Sequence, residues 1–318
     1  MQEKSKLEQA DKKKFLERFG TIPNETGLKR RIRIHQGWWR MNVLNEEPGE
    51  HPKDKENNVC NTIFDGKINK KNFLTPNSIK AVDTTVAERE EQDPGLMEQD
   101  RLYNNLLSSQ PLCFNFFGEL MADKDFGLKV LQNWWPDLTK LTKVVFEYAP
   151  KECYTADNSA FDVVFEVSVG DKSGLIGLEC KYTDTFSSTE YDKPEYREIY
   201  KKSRSFAASY DDLKASKYNQ LFRNQLIAES LLQNNKYDFV KTGLFCYQQD
   251  KNAIKTASEL KKMLIDSSSF IIITYGDFIE SVQRLNLNWE KREWTMLLWA
   301  RYCGTILSDA VNEQIEGK

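Results

Sequence analysis

The chain has 318 residues, of which 40% are hydrophobic and 12% aromatic, enough for one large domain or a core with an accessory region. Seven Trp and eighteen Phe argue against disorder, and no apolar run approaches the roughly eighteen residues of a membrane-spanning helix. The N-terminal twenty residues are rich in lysine and lack the apolar stretch of a secretory signal, so we expect a cytoplasmic protein without membrane contact.

The counts of cysteine and histidine exclude several kinds of site. Six cysteines show no C-x-x-C spacing, which favours free thiols over zinc ligands or disulfides. His35 and His51 are the two histidines, and both precede the apolar core segments. A Ser-His-Asp triad or a histidine-based zinc site is therefore not expected in the main domain, and carboxylates and lysines remain as candidates.

Residues 1–100 are polar and interrupted by proline, which predicts a partly irregular accessory region before a main domain at residues 101–318. Within it, residues 46–58 are expected to form a flexible loop. Residues 29–40 hold five cations, no acid and two adjacent tryptophans. Arg31, Arg33 and Trp38 could contact nucleic acid through phosphates and stacking, or the segment could dock its tryptophans on the core.

Residues 102–122 form a largely apolar segment with one charged side chain, Glu119. The composition predicts two buried helical pieces broken near Pro111. Glu119 could reach solvent at a helix end, or it could belong to a functional site. A short helix over residues 125–135 and a strand over residues 144–148 follow.

Two strands are predicted next, over residues 161–169 and 175–182, joined by a glycine-containing turn. Because side chains alternate across a strand, Glu179 and Lys181 share one face, and Asp162 lies on the polar face of the first strand. Charges gathered on a sheet face need a partner, and a hard divalent cation is one. The alternative is an ordinary acid and lysine pair on a surface hairpin.

A helix over residues 213–233 shows an apolar stripe that includes Gln225, so we expect this amide to face the sheet beside the charged residues. Arg223 lies nearly opposite on the helical wheel and is a candidate phosphate contact or a surface charge. Strands over residues 241–247 and 269–275 alternate with further helices. This order predicts an α/β fold with a central sheet flanked by helices.

The spacing of these charged residues resembles the PD-(D/E)xK nuclease superfamily. Phe161-Asp162 is followed, after sixteen residues, by Glu179-Cys180-Lys181. Residues 107–116 and 223–226 look like a bacterial branch of restriction endonucleases, and the resemblance covers roughly residues 100–275. Phe161 stands where the pattern has proline. The proline of the pattern shapes the backbone and takes no part in the chemistry.

The resemblance implies a mixed central sheet and a Mg²⁺-dependent endonuclease acting on DNA, with Mn²⁺ as a substitute. Asp162, Glu179 and Glu119 would then hold the metal, and Lys181 and Gln225 would position water. RNA, branched or single-stranded DNA remain alternative substrates, as does a non-catalytic binding module. Because cleavage of host DNA needs control, a homodimer or a regulatory partner is expected, in restriction or phage defence.

Overall fold

A five-stranded mixed sheet organises the fold. The computed structural model describes residues 19–20, 22, 25–51, 54–92, 98–157 and 159–311. The strands in that part of the chain are β1 (Gly49–His51), β2 (Asp54–Val59), β3 (Lys140–Tyr148), β4 (Phe161–Val169), β5 (Lys172–Lys181), β6 (Phe239–Cys246) and β7 (Phe270–Thr274). β1 and β2 form a separate antiparallel pair. The sheet order is β3-β4-β5-β6-β7, antiparallel from β3 to β5 and parallel from β5 to β7.

Helices cover both faces of this sheet. The α-helices are α1 (Gly27–Asn42), α2 (Gly66–Asn69), α3 (Pro76–Gln92), α4 (Gln99–Tyr103), α5 (Ser109–Ala122), α6 (Lys124–Leu131), α7 (Pro194–Lys202), α8 (Tyr210–Lys214), α9 (Ser216–Gln233), α10 (Lys251–Lys262), α11 (Tyr275–Gln283) and α12 (Trp289–Leu298). None that the structure describes is long and apolar enough to cross a membrane. The predicted α/β class, a central sheet between helices, is confirmed.

Alternation along the strands divides the core into two sides. Val163, Phe165 and Leu178 pack with apolar side chains of α5, α6 and α11 in the largest hydrophobic cluster. On the other face, Val164 packs under α9 and Leu244 under α9 and α10. Each fully buried side chain of this size contributes about 1.5–3 kcal/mol, so the sheet is fixed between its two helical layers.

The hairpin β4–β5 forms where the sequence predicts it. β4 has the predicted bounds, whereas β5 begins at Lys172 rather than at residue 175, because Ser173 and Gly174 already pair with β4. Gly170 occupies the left-handed region, with φ 57°, which only glycine adopts without strain. The turn is therefore shorter than predicted, and the alternation of the functional side chains is unchanged.

The predicted pair of helical segments forms, with its break just ahead of Pro111 rather than at this residue. The break lies between α4 and α5, whereas Pro111 sits in the first turn of α5. Ser108 caps that helix by accepting a hydrogen bond from the Gln110 amide. Proline is tolerated at this position because the first amides of a helix have no intrahelical acceptor.

The N-terminal segment packs on the same core as the rest of the chain. Ile32 of α1 and Val82 of α3 belong to the largest hydrophobic cluster, and Trp39 is buried. The predicted loop at residues 46–58 is wrong, because the β1–β2 pair forms there by backbone pairing that needs no apolar alternation. The domain boundary near residue 100 stays a prediction, while side chains from both sides of it share one cluster.

Candidate active site

The end of the β4–β5 hairpin brings Asp162, Glu179 and Lys181 together. Val163 pairs with Leu178, so Asp162 and Glu179 follow as neighbours across the two strands. The Cys180 amide donates a hydrogen bond to Asp162 Oδ2 at 2.5 Å. Lys181 Nζ lies 3.1 Å from Glu179 Oε1. The two carboxylates and the ammonium predicted from the sequence therefore meet at the open end of this hairpin, on the edge of the sheet that the strand ends form.

Two amides of α9 satisfy this charged pair. Glu179 is 4% exposed and Lys181 7% exposed, and a buried ion pair is costly unless its remaining polar atoms are hydrogen-bonded. Gln220 Nε2 donates to Glu179 Oε1 at 2.5 Å, and Lys181 Nζ donates to Gln220 Oε1 at 2.9 Å. Asn224 Nδ2 donates to Glu179 Oε2 at 3.0 Å. Since residues four apart share a helix face, one side of α9 fixes both groups.

Gln225 is placed differently from the sequence prediction. Its Nε2 donates at 2.5 Å to Thr242 Oγ1 on β6. No contact with Glu179 or Lys181 is recorded for it within the described ranges. The helix lies on the predicted sheet face, but the side chains that it presents to the charged pair are Gln220 and Asn224. Gln220 and Asn224 are four residues apart in the N-terminal half of the predicted helix, and this spacing is the sequence pattern that could have identified them.

Glu147 is a third carboxylate at this edge, and sequence reasoning missed it. Its neighbours on β3 pair with the β4 residues on either side of Asp162, so Glu147 lies laterally beside that aspartate. Glu147 has φ 50°, a left-handed conformation that costs a non-glycine residue roughly 1–3 kcal/mol and often accompanies function. Gln110 Nε2 donates to Glu147 Oε1 at 3.4 Å. Glu147, Asp162 and Glu179 thus occupy adjacent positions on three neighbouring strands.

The proximity of these carboxylates changes their protonation. Burial raises the pKa of Asp162 well above its usual range, and the negative charges of Glu179 and Glu147 raise it further. Burial also raises the pKa of Glu147 to about 7, opposed by the Arg89 guanidinium and the Gln110 amide. Without a cation, these carboxyl groups therefore hold their protons more tightly than carboxyl groups in water do.

This excess of carboxylate suits a hard divalent cation. Mg²⁺ takes one or two carboxylates and keeps several waters, and an ionised carboxylate offers about four acceptor sites. In the described part of the chain, no group of three or more Asp, Glu, His or Cys side chains is positioned to hold a metal ion by itself. Asp162 and Glu179 thus fit an open site in which solvent or substrate completes the coordination.

Two buried thiols support the same edge from the opposite face. Cys113 of α5 donates to the Asp162 carbonyl oxygen at 3.6 Å and lies 3.7 Å from the Cys180 sulfur. Burial raises the pKa of Cys113 to about 11, so the thiol stays protonated. All six cysteines are free; four are buried as expected, whereas Cys153 is exposed and Cys303 is partly buried. Cys113 and Cys180 act as small apolar packing beneath Asp162.

Glu119 makes no hydrogen bond with the carboxylate cluster and is bonded elsewhere. Asn77 Nδ2 donates to Glu119 Oε2 at 2.8 Å, and the side chain is 6% exposed. Glu119 follows Gln110 by nine residues on α5, which corresponds to about 13 Å along the axis. Gln110 reaches Glu147, so Glu119 sits more than two turns away from that contact. Its role as a metal ligand stays a prediction, and Glu147 is the better-placed third acid.

The residues predicted to contact nucleic acid all have intramolecular partners. Arg31 pairs with Asp309 at 2.8 Å, Arg33 with Glu25 at 2.6 Å and Arg223 with Asp157 at 3.6 Å, while Trp38 stacks on His35 with ring centroids 5.6 Å apart. Arg223 also lies over the Tyr191 ring, 4.5 Å from its centroid. These partners favour the alternative in which residues 29–40 dock on the protein.

Comparison with known proteins agrees with this geometry. A family model described as the PD-(D/E)XK nuclease superfamily matches residues 23–304. Neither the curated proteins nor the solved structures gave a significant match. The family match spans the hairpin, the helix α9 and most of the remaining chain, and nucleases of this superfamily generally use divalent metal ions. The chain therefore belongs to the PD-(D/E)XK nuclease superfamily.

Proposed function

We propose that this protein is a Mg²⁺-dependent endonuclease that hydrolyses the phosphodiester bonds of DNA. The observation that supports it best is the meeting of Asp162, Glu179 and Lys181 at one edge, with Glu179 and Lys181 bracketed by Gln220. Charged groups so close together need a chemical reason, since their burial costs several kcal/mol. Binding a cation against a phosphate provides that reason.

Each residue of the site has its own role in the proposed reaction. Asp162 and Glu179 would hold the cation, and Glu147 would add negative charge beside them. A bound divalent cation polarises the phosphate and lowers the pKa of a coordinated water. Lys181 orients the attacking water or neutralises charge that develops on the phosphate. Gln220 positions Lys181 and Glu179 relative to each other, because its amide bonds to both.

We infer the metal, the substrate and the biological setting from the resemblance to the superfamily. Mn²⁺ should substitute for Mg²⁺, because it accepts the same oxygen ligands. We place the activity in restriction or phage defence, where a partner protein or a homodimer would restrain cleavage of host DNA. Nucleic acid is the substrate class in every form of the proposal.

Incubation of the purified chain with plasmid and phage DNA, with Mg²⁺ or EDTA, tests the proposal directly. Cleavage is expected with Mg²⁺ alone, and Asp162→Ala and Lys181→Ala should each lose it. Asp162→Ala should keep a melting temperature near that of the wild type, whereas Lys181→Ala should melt lower because it leaves Glu179 buried without its ammonium partner. Asp171→Ala is the matched control, since this acid lies in the exposed turn of the same hairpin.

Undiminished cleavage by a folded Asp162→Ala variant would contradict the assignment of the site. Parallel reactions with RNA and with single-stranded or branched DNA identify the substrate, and cleavage of RNA alone would replace DNA in the proposal. Absence of Mg²⁺ and Mn²⁺ binding by calorimetry would favour a non-catalytic module instead.

A further inference from the structure

A cavity of about 490 Å³ lies at the outer edge of the sheet, beside the row of carboxylates. The C-terminal half of α3, the edge strand β3 and the residues after α9 form its walls. Its volume falls in the range of about 300–1,000 Å³ that is usual for ligand sites. The cavity is therefore large enough for part of a nucleic-acid strand.

The cavity adjoins the candidate active site. Phe146 and Tyr148 line it, and they are the two chain neighbours of Glu147. Arg89 also lines it, and its positive charge lowers the pKa of Glu147, which otherwise rises through burial. Glu147 itself does not line the cavity, so a strand that occupies it would have to pass Glu147 to reach Asp162.

Two of the lysines that line the cavity are available to an incoming anion. Lys143 on β3 and Lys151 after it are exposed, and neither forms an ion pair with any residue that the structure describes. A third, Lys236, pairs with Glu152. Lys143 and Lys151 differ in this respect from Arg31, Arg33 and Arg223, each of which pairs with a carboxylate of the protein.

Acidic residues also face the cavity, and their contacts show which charged groups of the lining are paired with each other. Glu152 pairs with Lys236, and Glu166 lies opposite Lys143 in the strand register. The Tyr237 hydroxyl donates to Glu166 Oε1 at 3.5 Å. Glu88 is exposed at the rim. With Lys143, Lys151, Lys236 and Arg89 against these three acids, the described lining residues have a small excess of positive charge.

We propose that this cavity binds the sugar-phosphate backbone of the substrate strand next to the scissile bond, with Lys143 and Lys151 each contacting a phosphate. The inference rests on the proposed function, because it assigns a substrate path to the same site. The apolar floor of Val145 and Leu231 and the rings of Tyr148 and Tyr237 provide surface for sugars and bases. Such contacts position the strand and leave its sequence unread.

Salt-dependent binding tests this path without any cleavage. The full chain in EDTA is titrated into fluorescent oligonucleotides, as duplex DNA, single-stranded DNA and RNA, and anisotropy is followed over a series of KCl concentrations. The double variant Lys143→Ala and Lys151→Ala should flatten the plot of log K against log salt by about 1.4–1.8, because each phosphate contact accounts for about 0.7–0.9 of the slope. Affinity at 0.1 M salt should fall by roughly tenfold per lysine.

The matched control replaces Lys140 and Lys172, which are also exposed on strands of the sheet but do not line the cavity. This control should bind like the wild type. An unchanged slope in the cavity variant, or an equal change in the control, would overturn the path. The path would also be overturned if the wild type bound none of the three nucleic acids.

Cleavage kinetics separate this inference from the proposed function. With Mg²⁺, the cavity variant should raise KM with kcat nearly unchanged, because Lys143 and Lys151 lie outside the reacting groups. A wild type that cleaves DNA, together with a cavity variant of unchanged KM and slope, would refute the path alone. A wild type that binds nucleic acid with the expected slope difference but cleaves none would refute the nuclease and retain the path.

Discussion

Replacement of Glu147 by Gln should stabilise the metal-free protein above neutral pH. Burial raises the pKa of Glu147 from 4.5 to about 7, so the folded state binds this proton more tightly than the unfolded state does. The contribution of this carboxyl group to the free energy of unfolding is therefore fully present below about pH 4.5 and is lost as the pH rises to about 7. Each pKa unit is worth about 1.4 kcal/mol, which gives a loss of about 3 kcal/mol at pH 8.

Glutamine removes this loss because it has nearly the same shape, cannot ionise and can still accept a hydrogen bond from Gln110. Urea and thermal unfolding in EDTA at pH 5 and pH 8 measure the effect. The wild type should be less stable at pH 8 than at pH 5 through this group. Glu147→Gln should unfold about 5 °C higher than the wild type at pH 8 and should differ less at pH 5.

The matched control is Asp171→Asn, an exposed acid of the hairpin turn, which should leave both curves unchanged. Asp162 acts in the same direction as Glu147, because burial and neighbouring carboxylates raise its pKa as well. Added Mg²⁺ at pH 8 should stabilise the wild type more than Glu147→Gln, since the cation offsets the repulsion that the substitution removes. A wild type with equal stability at both pH values, or a variant with no gain at pH 8, would refute the electrostatic reasoning.

Three further predictions concern single side chains. Gln220→Ala should reduce kcat by at least tenfold, because it removes the amide that joins Glu179 to Lys181. Gln225→Ala should keep kcat within about threefold of the wild type, and steady-state cleavage assays compare the two variants. Gly177→Val should cost about 1–3 kcal/mol or more in urea unfolding, because a Cβ at this position would come within 2.7 Å of the neighbouring phenylalanine ring. Gln36→Ala should cost about 1–3 kcal/mol in the same assay, because its buried amide donates to a tyrosine hydroxyl and to a backbone carbonyl.

The hairpin was predictable because its information is local. Alternation of apolar and polar residues fixed the faces of β4 and β5, and the glycine-containing turn joined them. Those two features were enough to place Asp162, Glu179 and Lys181 together. The fold class followed from the order of strands and helices, since parallel strands need helical crossovers between them.

Glu147 was not predictable from the same information. The sequence predicts a strand over residues 144–148, but alternation does not show which β4 residue lies beside each of its positions. That register depends on the pairing of β3 with β4, and the left-handed conformation of Glu147 appears only in the folded chain. The same reasoning applies to Lys143 and Lys151, whose common cavity is closed by α3, far away in the sequence.

Helix α9 shows where a helical pattern stops being informative. The apolar stripe correctly indicates which side of the helix faces the sheet, but it does not fix where along the axis each residue meets a strand. Gln225 faces inward and meets Thr242, whereas Gln220, further towards the N-terminus, lies over the strand ends. A buried carboxylate and ammonium must each find a polar partner at their own position, because leaving either unpaired costs several kcal/mol. The charged pair on β5, rather than the helical pattern, therefore determines which amides of α9 belong to the site.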